Sequence, residues 1–509
     1  MAAEWSLKRL IAQMVVVRAC GHLYDRQRQY PQWELSKDQL KRLIADYGIG
    51  GVILLGGSAP EVYLRIQELQ SWAAYPLLIA ADVEEGVGQR FAGATRFPPP
   101  MAWADLDPRR SFELGRVTAE EAANLGINWL LAPVADVNSN PRNPVINVRA
   151  FGSEPYAVSD RVREFIYGAR QHPVLTTAKH FPGHGDPDLD SHLTTPVLRK
   201  NLDQLRQLEF IPFQGAIGAG VDAIMTAHLL LPEIDNQIAT LSELLLTKIL
   251  RQEWGFNGLI VTDALVMAGV NNLYTLREMV MEALKAGNDI LLMPPDPFAT
   301  IDIISQAVKQ GEISLDRIYQ SVNRICQAKS KLKLPQQLPD FDQLHYGYVA
   351  DRVAQDSIKW IREGKINLPA QWLNLIVTDR LCKAPEFLTP TAPAHALPTH
   401  WGATTIYAEL AQLPYYNLPT DRGIFVQIYT RGNPFQGHVS NLQTLIEFLQ
   451  NKQVLGGILY GNPYLIPTLQ ENFSQPWLFS YGHYRECQKF CLDRLLVPPS
   501  SPPDKGEFI

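Results

Sequence analysis

Short runs of apolar residues alternate, over roughly the first 310 positions, with segments whose apolar residues recur at helical spacing. Eight runs are rich in Val, Ile and Leu without polar alternation, which is typical of strands buried on both faces of a parallel sheet. They occupy residues 14–17, 51–55, 76–81, 129–134, 175–178, 223–226, 259–262 and 289–293. Eight strand–helix repeats predict an α/β fold of the (β/α)8 TIM barrel type. The alternative is a doubly wound open sheet, which the count of eight disfavours.

Capping residues support the helices between these strands. Ser36 with Gln39, and Ser58 with Glu61, have the spacing of a capping box, and Gly126 stands where a helix should end. A further long helix is expected over 315–332.

A second, smaller α/β sandwich domain is expected after the barrel. Apolar runs at 373–377, 424–429, 457–459 and 477–480 are its strand candidates. We therefore expect a catalytic barrel over 1–335, a linker over 336–369 and a sandwich domain over 370–497. The Pro- and Ser-rich end, 498–509, is expected to be a disordered tail.

Composition narrows the class of protein. An apolar fraction of 46% and a charged fraction of 19% are those of a soluble globular protein, and a net charge of −6 gives no reason to expect nucleic acid or a membrane as partner. The amino-terminal residues lack a continuous apolar core, and no run reaches a membrane span, so a cytoplasmic location is expected. The odd number of five cysteines argues against a disulfide framework, and no metal or organic cofactor is expected.

Ionisable residues follow six strands in succession, which is where the active sites of barrel enzymes form. These residues are Asp82, Asp136, Lys179 with His180, His228, Asp263 and Asp296. A single charge at a strand end usually faces solvent, but six that converge on one rim indicate a site.

Two segments carry the candidate chemistry. After strand five, Asp190 and His192 lie two residues apart in a long loop, and a carboxylate at this spacing can hold an imidazole in one tautomer. The alternative is a solvated acidic loop. Asp263 directly follows a buried strand, so a fixed carboxylate there could attack an anomeric carbon. The alternative is a helix N-cap.

Several motifs resemble the N-acetylglucosaminidase branch of glycoside hydrolase family 3. They are 179–185 (KHFPGHG) followed by 190–192 (DSH), 261–263 (VTD), 138–144 (NSNPRNP) followed by 149–152 (RAFG), and 225–228 (MTAH). They occur in family order over residues 5–335, and 461–464 (GNPY) resembles the family's second domain more loosely.

The resemblance implies the following roles. Asp263 would be the catalytic nucleophile, and His192 the general acid/base oriented by Asp190. The N-acetylhexosamine would be bound by Asp82, Arg90, Arg149, Lys179, His180 and His228. The strand-three motif departs from the family's Asp-Gln-Glu-Gly-Gly-Arg at Val83, Glu85 and Val87, which leaves Asp82 and Arg90 in register but changes the wall beside them.

The function implied is that of a retaining β-N-acetylhexosaminidase acting on a small carbohydrate, a muropeptide or a chitobiose-like glycan. The usual role of such a bacterial enzyme is cytoplasmic cell wall recycling and peptidoglycan turnover, as a monomer or homodimer. The alternatives are a related β-glucosidase, a β-N-acetylglucosaminide phosphorylase, or a non-catalytic glycan-binding barrel.

Overall fold

The computed structural model describes residues 4–188, 195–335, 337, 339–342, 345–379, 387–419, 421–430 and 441–498. The chain divides into two compact units, Met1–Gly347 and Tyr348–Ile509.

The first unit is a closed barrel of eight parallel strands. The strands are β1 Val15–Cys20, β2 Gly51–Leu55, β3 Leu78–Ala81, β4 Trp129–Leu130, β5 Leu175–Phe181, β6 Ala223–Thr226, β7 Leu259–Thr262 and β8 Leu291–Leu292. Their order is β7-β6-β5-β4-β3-β2-β1-β8, and a parallel bridge between Val261 and Ile290 closes the ring. The predicted (β/α)8 barrel is therefore confirmed.

Helices surround this barrel. They are α1 Leu7–Ala12, α2 Lys37–Arg42, α3 Ala59–Trp72, α4 Arg110–Leu125, α5 Pro155–Ala169, α6 Leu202–Gln207, α7 Phe210–Gly218, α8 Ala268–Asn271, α9 Leu276–Ala286, α10 Pro297–Lys309 and α11 Leu315–Ser330. A π-helical segment, Leu244–Glu253, fills the helical position between β6 and β7.

The local sequence explains these elements. Every residue of β3, β5, β6 and β7 is buried, as expected of strands covered on both faces. The capping boxes at Ser36 and Ser58 are present, and Gly126 ends α4 at φ +88°, a left-handed conformation that favours glycine.

The second unit is a smaller α/β domain. Its strands are β9 Lys359–Arg362, β10 Ile366–Asn367, β11 Trp372–Thr378, β12 Ala403–Glu409, β13 Gly423–Tyr429, β14 Val454–Tyr460, β15 Trp477–Ser480 and β16 Leu496–Val497. The main sheet has the order β12-β11-β13-β14-β15-β9, parallel except for the β15–β9 pair, and β10 pairs with β16. Its helices are α12 Gly347–Asp356, α13 Pro393–His400, α14 Gln443–Leu449, α15 Ile466–Asn472 and α16 Arg485–Leu495.

The segment expected to be a linker, 336–369, includes regular structure. It contains α12, and it contains β9, which forms an edge of the second sheet. Most of the expected tail, 498–509, lies outside the described residues.

Within the described part of the chain, no helix is long and apolar enough to cross a membrane. Among the same residues, no group of three or more His, Cys, Asp or Glu side chains could hold a metal ion.

Candidate active site

Strands β3 to β7 place most of the expected site residues at one end of the barrel. Asp82 follows β3, Lys179 and His180 are near the carboxyl end of β5, and Asp263 directly follows β7. Because parallel strands of a barrel end at the same rim, these side chains share its mouth. Asp296, by contrast, is the exposed N-cap of α10, where its Oδ1 accepts from Ala299 N at 2.9 Å.

A buried charge network joins β3 to β5. Lys179 Nζ lies 2.7 Å from Asp82 Oδ1 and 2.7 Å from Glu84 Oε1. Arg149 donates two hydrogen bonds to Glu84, from Nε at 2.9 Å and from Nη2 at 2.8 Å. Arg90 Nε donates to Asp82 O at 3.0 Å, and its Nη2 lies 3.6 Å from Asp82 Oδ2.

The network keeps its members ionised. Burial alone would raise the pKa of Asp82, but the charges of Lys179 and Arg90 lower it below its usual range. Glu84 is also buried, yet Arg149 and Lys179 hold its pKa well below normal. Burial opposes the charged form of Lys179, whereas Asp82 and Glu84 raise its pKa on balance. The mouth therefore presents fixed donors and acceptors suited to sugar hydroxyls.

Glu84 belongs to the same charge network, although none of the sequence motifs pointed to it. Its side chain is 3% exposed, and it bridges the two cations, Lys179 and Arg149, that the sequence assigned to sugar binding. The sequence does carry an indication, because Asp82 and Glu84 lie two apart and so project to the same side of an extended segment.

His180 is held by Asp136, which follows β4. The His180 Nδ1 lies 2.7 Å from Asp136 Oδ2, and the backbone N–H groups of His180 and His184 donate to Asp136 Oδ1 at 3.2 and 2.6 Å. His180 Nε2 lies 3.5 Å from Arg149 Nη2, which can only donate. These partners fit the tautomer with its proton on Nδ1 and leave Nε2 as the acceptor.

His184 lies deeper beside the same groups. Burial lowers the pKa of His184 to about 4, against the opposing influence of the Asp136 and Asp263 carboxylates. This ring is therefore neutral at physiological pH.

Asp263 is fixed through its backbone. Its N–H donates to Thr226 O on β6 at 3.1 Å, and its Oδ1 accepts from Ala264 N at 2.7 Å. The side chain is half-buried, so part of it remains accessible to a substrate.

His228 contacts the segment that carries Asp263. Its Nε2 lies 3.2 Å from Ala264 O, and its Nδ1 lies 2.8 Å from Thr240 Oγ1. Because a carbonyl oxygen only accepts, Nε2 donates to Ala264 O. The Thr240 hydroxyl itself donates to Ala227 O at 2.9 Å. His228 therefore lies beside the residue that directly follows Asp263.

Asp190 and His192 lie outside the described residues, but both ends of their loop are described. Asn143 Nδ2 donates to Pro187 O at 2.7 Å before the loop. After it, Thr195 Oγ1 donates to Gly269 O at 2.8 Å, on α8. Gly269 is six residues beyond Asp263, so the loop is anchored near the strand that carries that carboxylate.

The altered strand-three motif does not disturb these contacts. Val83 and Val87 are buried in the core, and the buried Glu85 pairs with Arg96 at 3.3 Å. Arg90 remains within reach of Asp82, as described above.

A closed α/β barrel with a polar, preorganised mouth is the architecture of a barrel enzyme that binds a small polar substrate. The chain belongs to glycosyl hydrolase family 3. Residues 6–328 match the glycosyl hydrolase family 3 N terminal domain, and residues 365–497 match the bacterial glycosyl hydrolase family 3 C-terminal domain. The predicted family is thus confirmed.

Named relatives agree with this assignment. The chain is 34% identical over 334 residues to the beta-hexosaminidase A of Pseudoalteromonas piscicida, covering 58% of this chain and 56% of the relative. It is 32% identical over 302 residues to the beta-N-acetylglucosaminidase/beta-glucosidase of Cellulomonas fimi, covering 56% and 53%. The chain thus spans about half the length of these curated relatives.

A solved structure is similar over both units. The glycoside hydrolase family 3 beta-N-acetylglucosaminidase from Paenibacillus sp. str. FPU-7 is 26% identical, with a TM-score of 0.78 and 96% of each chain covered.

Proposed function

We propose that this protein is a retaining β-N-acetylhexosaminidase that hydrolyses terminal β-linked N-acetylglucosamine, with Asp263 as nucleophile. The observation that carries the proposal is the fixed, half-buried carboxylate of Asp263 at the end of β7, facing a mouth lined by the Lys179 network. The beta-hexosaminidase and beta-N-acetylglucosaminidase names of similar proteins support the choice of sugar.

The reaction takes two displacements. In the first, an Asp263 oxygen attacks the anomeric carbon while the bond to the leaving oxygen breaks, and His192 gives that oxygen a proton. In the second, His192 takes a proton from water, the hydroxide oxygen attacks the same carbon, and Asp263 leaves. Asp190 orients His192 in both steps. Because each displacement inverts the anomeric carbon, the two together retain its configuration.

The remaining residues bind the sugar. Lys179, Arg149 and Arg90 donate to ring hydroxyls, and Asp82 accepts from them. Because these charges are already paired with one another, they do not have to reorganise when the sugar arrives. His180, held by Asp136, supplies a further oriented imidazole.

Substitution of Asp263 tests the proposal. Asp263→Asn should lower the hydrolysis of 4-nitrophenyl N-acetyl-β-glucosaminide by at least about a thousandfold, because an amide is a poor nucleophile. The matched control is Asp296→Asn, which changes another aspartate beyond a strand end, but one that caps α10. Activity retained in Asp263→Asn, or lost equally in both variants, would contradict the assignment.

The natural substrate we propose is a muropeptide or chitobiose-like glycan in peptidoglycan turnover and cell wall recycling. We propose that the enzyme acts in the cytoplasm as a monomer or homodimer. Cell fractionation with size-exclusion chromatography of the native protein tests the location and the oligomeric state.

A phosphorylase is the second candidate. A histidine acid/base is neutral when it activates the acceptor, so His192 would not repel an incoming phosphate as a carboxylate would. Assays with and without inorganic phosphate separate the two reactions, because only a phosphorylase accumulates a sugar 1-phosphate.

A further inference from the structure

Residues 21–36, which join β1 to α2, form a loop at the same end of the barrel as the candidate active site. We refer to it as the β1 loop. It occupies the arc of the rim formed by β8, β1 and β2, whereas the site residues described above come from β3 to β7 and their loops.

The β1 loop completes the barrel wall. Strand β8 pairs with β1 only at Val15 and Val16, and its last contact is Met293 N donating to Val16 O at 2.7 Å. Arg18 O, two residues further along the same edge of β1, instead accepts from Leu35 N at 3.4 Å. Residues of the β1 loop therefore take the place beside β1 that β8 leaves.

A buried carboxylate holds the loop in shape. Glu34 is almost fully buried and accepts from Arg18 Nη2 at 3.0 Å and from Tyr30 N at 3.1 Å. Arg28 Nη1 donates to Glu34 O at 2.9 Å. A loop fixed by charge-assisted and backbone bonds can present its side chains in a defined arrangement.

The side chains it presents are aromatic. Tyr24 and Tyr30 are 60% and 41% exposed. The Tyr30 ring stacks on Trp33 with centroids 5.7 Å apart and planes 24° apart, and the Arg18 guanidinium lies 4.8 Å from the Tyr30 centroid. Exposed aromatic rings on a fixed loop at this rim of the barrel are suited to the apolar face of a flat sugar ring, and the phenol hydroxyl can form a hydrogen bond.

We propose that the β1 loop is the binding subsite for the sugar on the leaving-group side of the scissile bond, and that Tyr24 and Tyr30 stack on its pyranose ring. This inference rests on the proposed function. The sugar to be cleaved is held from the β3–β5 side, and its anomeric carbon must meet Asp263 at β7. The next sugar then continues past β7 toward β8 and β1, where the β1 loop lies.

Comparison of two substrates tests this subsite. Chitobiose carries a sugar on the leaving-group side, whereas methyl N-acetyl-β-glucosaminide carries only a methyl group. Tyr30→Ala and Tyr24→Ala should each lower kcat/KM for chitobiose about five- to tenfold more than kcat/KM for the methyl glycoside. The effect should lie in KM, because the rings touch the substrate away from the reacting atoms.

Matched variants separate stacking from stability. Tyr167→Ala removes another exposed tyrosine, near the end of α5 that points away from the mouth, and should leave the ratio of the two substrates unchanged. Tyr30→Phe keeps the aromatic ring. Its ratio of kcat/KM for chitobiose to kcat/KM for the methyl glycoside should therefore stay much closer to the wild-type ratio than that of Tyr30→Ala. Equal losses on both substrates, or no loss on either, would overturn the subsite while leaving the proposed function intact. Wild-type protein that cleaves neither substrate would instead overturn the proposed function.

Discussion

The charge network at the mouth makes a quantitative prediction about Glu84. Glu84→Gln keeps the shape of the side chain but removes the charge that faces Lys179, which is 2% exposed, and Arg149, which is 19% exposed. Breaking a buried ion pair from one side costs about 3–5 kcal/mol, because the partner charge stays behind without compensation. We therefore expect Glu84→Gln to lower the free energy of unfolding of the barrel by about that amount.

The chain contains a matched control on its surface. Arg277 Nη2 contacts Glu312 Oε1 at 2.6 Å and Oε2 at 2.8 Å, so it also binds a carboxylate through two oxygens. The two side chains are 44% and 40% exposed, however, and an exposed pair contributes only about 0.2–1 kcal/mol. Glu312→Gln should thus cost at least about 2 kcal/mol less than Glu84→Gln.

Urea denaturation measures both costs. Hydrogen exchange of peptides from β3 and β5 assigns the transition to the barrel rather than to the second unit. A double variant, Glu84→Gln with Arg149→Met, should be less destabilised than the sum of its single changes, because the cation without a partner is gone. If Glu84→Gln lowers the free energy of unfolding no more than Glu312→Gln does, the buried network does not stabilise the barrel as proposed.

The remaining predictions concern single groups. Burial raises the pKa of Glu121 to about 7, so the wild type should lose up to about 3 kcal/mol of stability as pH rises from 4.5 through 7. Glu121→Gln should remove that loss, so that thermal melts of the two proteins differ at pH 8 and agree at pH 4.5. Asp136→Asn removes the charge that orients His180 and should lower kcat/KM about 10- to 100-fold in steady-state assays, with the melting temperature reported beside it. His228→Phe removes the donor to Ala264 O and should lower kcat about tenfold with little change in KM, whereas His228→Gln should recover part of the loss.

Much of the barrel follows from the sequence pattern. The bounds of β2, β6 and β7 agree with the apolar runs, because nearly all residues of these strands are buried. Strand β4 ends at Leu130, before the run does, and Pro133 further along cannot donate a ladder hydrogen bond. Strand β5 extends through Lys179 and His180, whose buried polar side chains made the run look shorter than it is.

The second unit was harder to predict for a physical reason. Strand β12 lies at an edge of its sheet, and most of its residues are partly exposed, so it lacks a long apolar run. Helix α12 and strand β9 are short and fall where the sequence indicated a linker. Short or half-exposed elements depend on tertiary contacts that periodicity does not encode.

The site shows the same division. The position of Asp263 after a buried strand could be read directly, and so could the cluster on β5. The role of Asp136 as the partner of His180, and that of Glu84 between Lys179 and Arg149, depend on side chains more than 40 positions apart in the chain. No spacing rule relates such residues until the barrel brings their strands together. Asp296, in contrast, caps the amino terminus of α10, which it directly precedes in the sequence.

The central claim is that Asp263 forms a covalent bond to the sugar. A 5-fluoro-N-acetylglucosaminyl fluoride slows the second displacement more than the first, so the glycosyl-enzyme should accumulate. Peptic digestion and mass spectrometry should then find one added sugar on the peptide that contains Asp263, and none in Asp263→Asn. A sugar attached to a different carboxylate would contradict the role of Asp263. Hydrolysis of the fluoride with no covalent adduct and no inactivation of the enzyme would contradict the double-displacement mechanism.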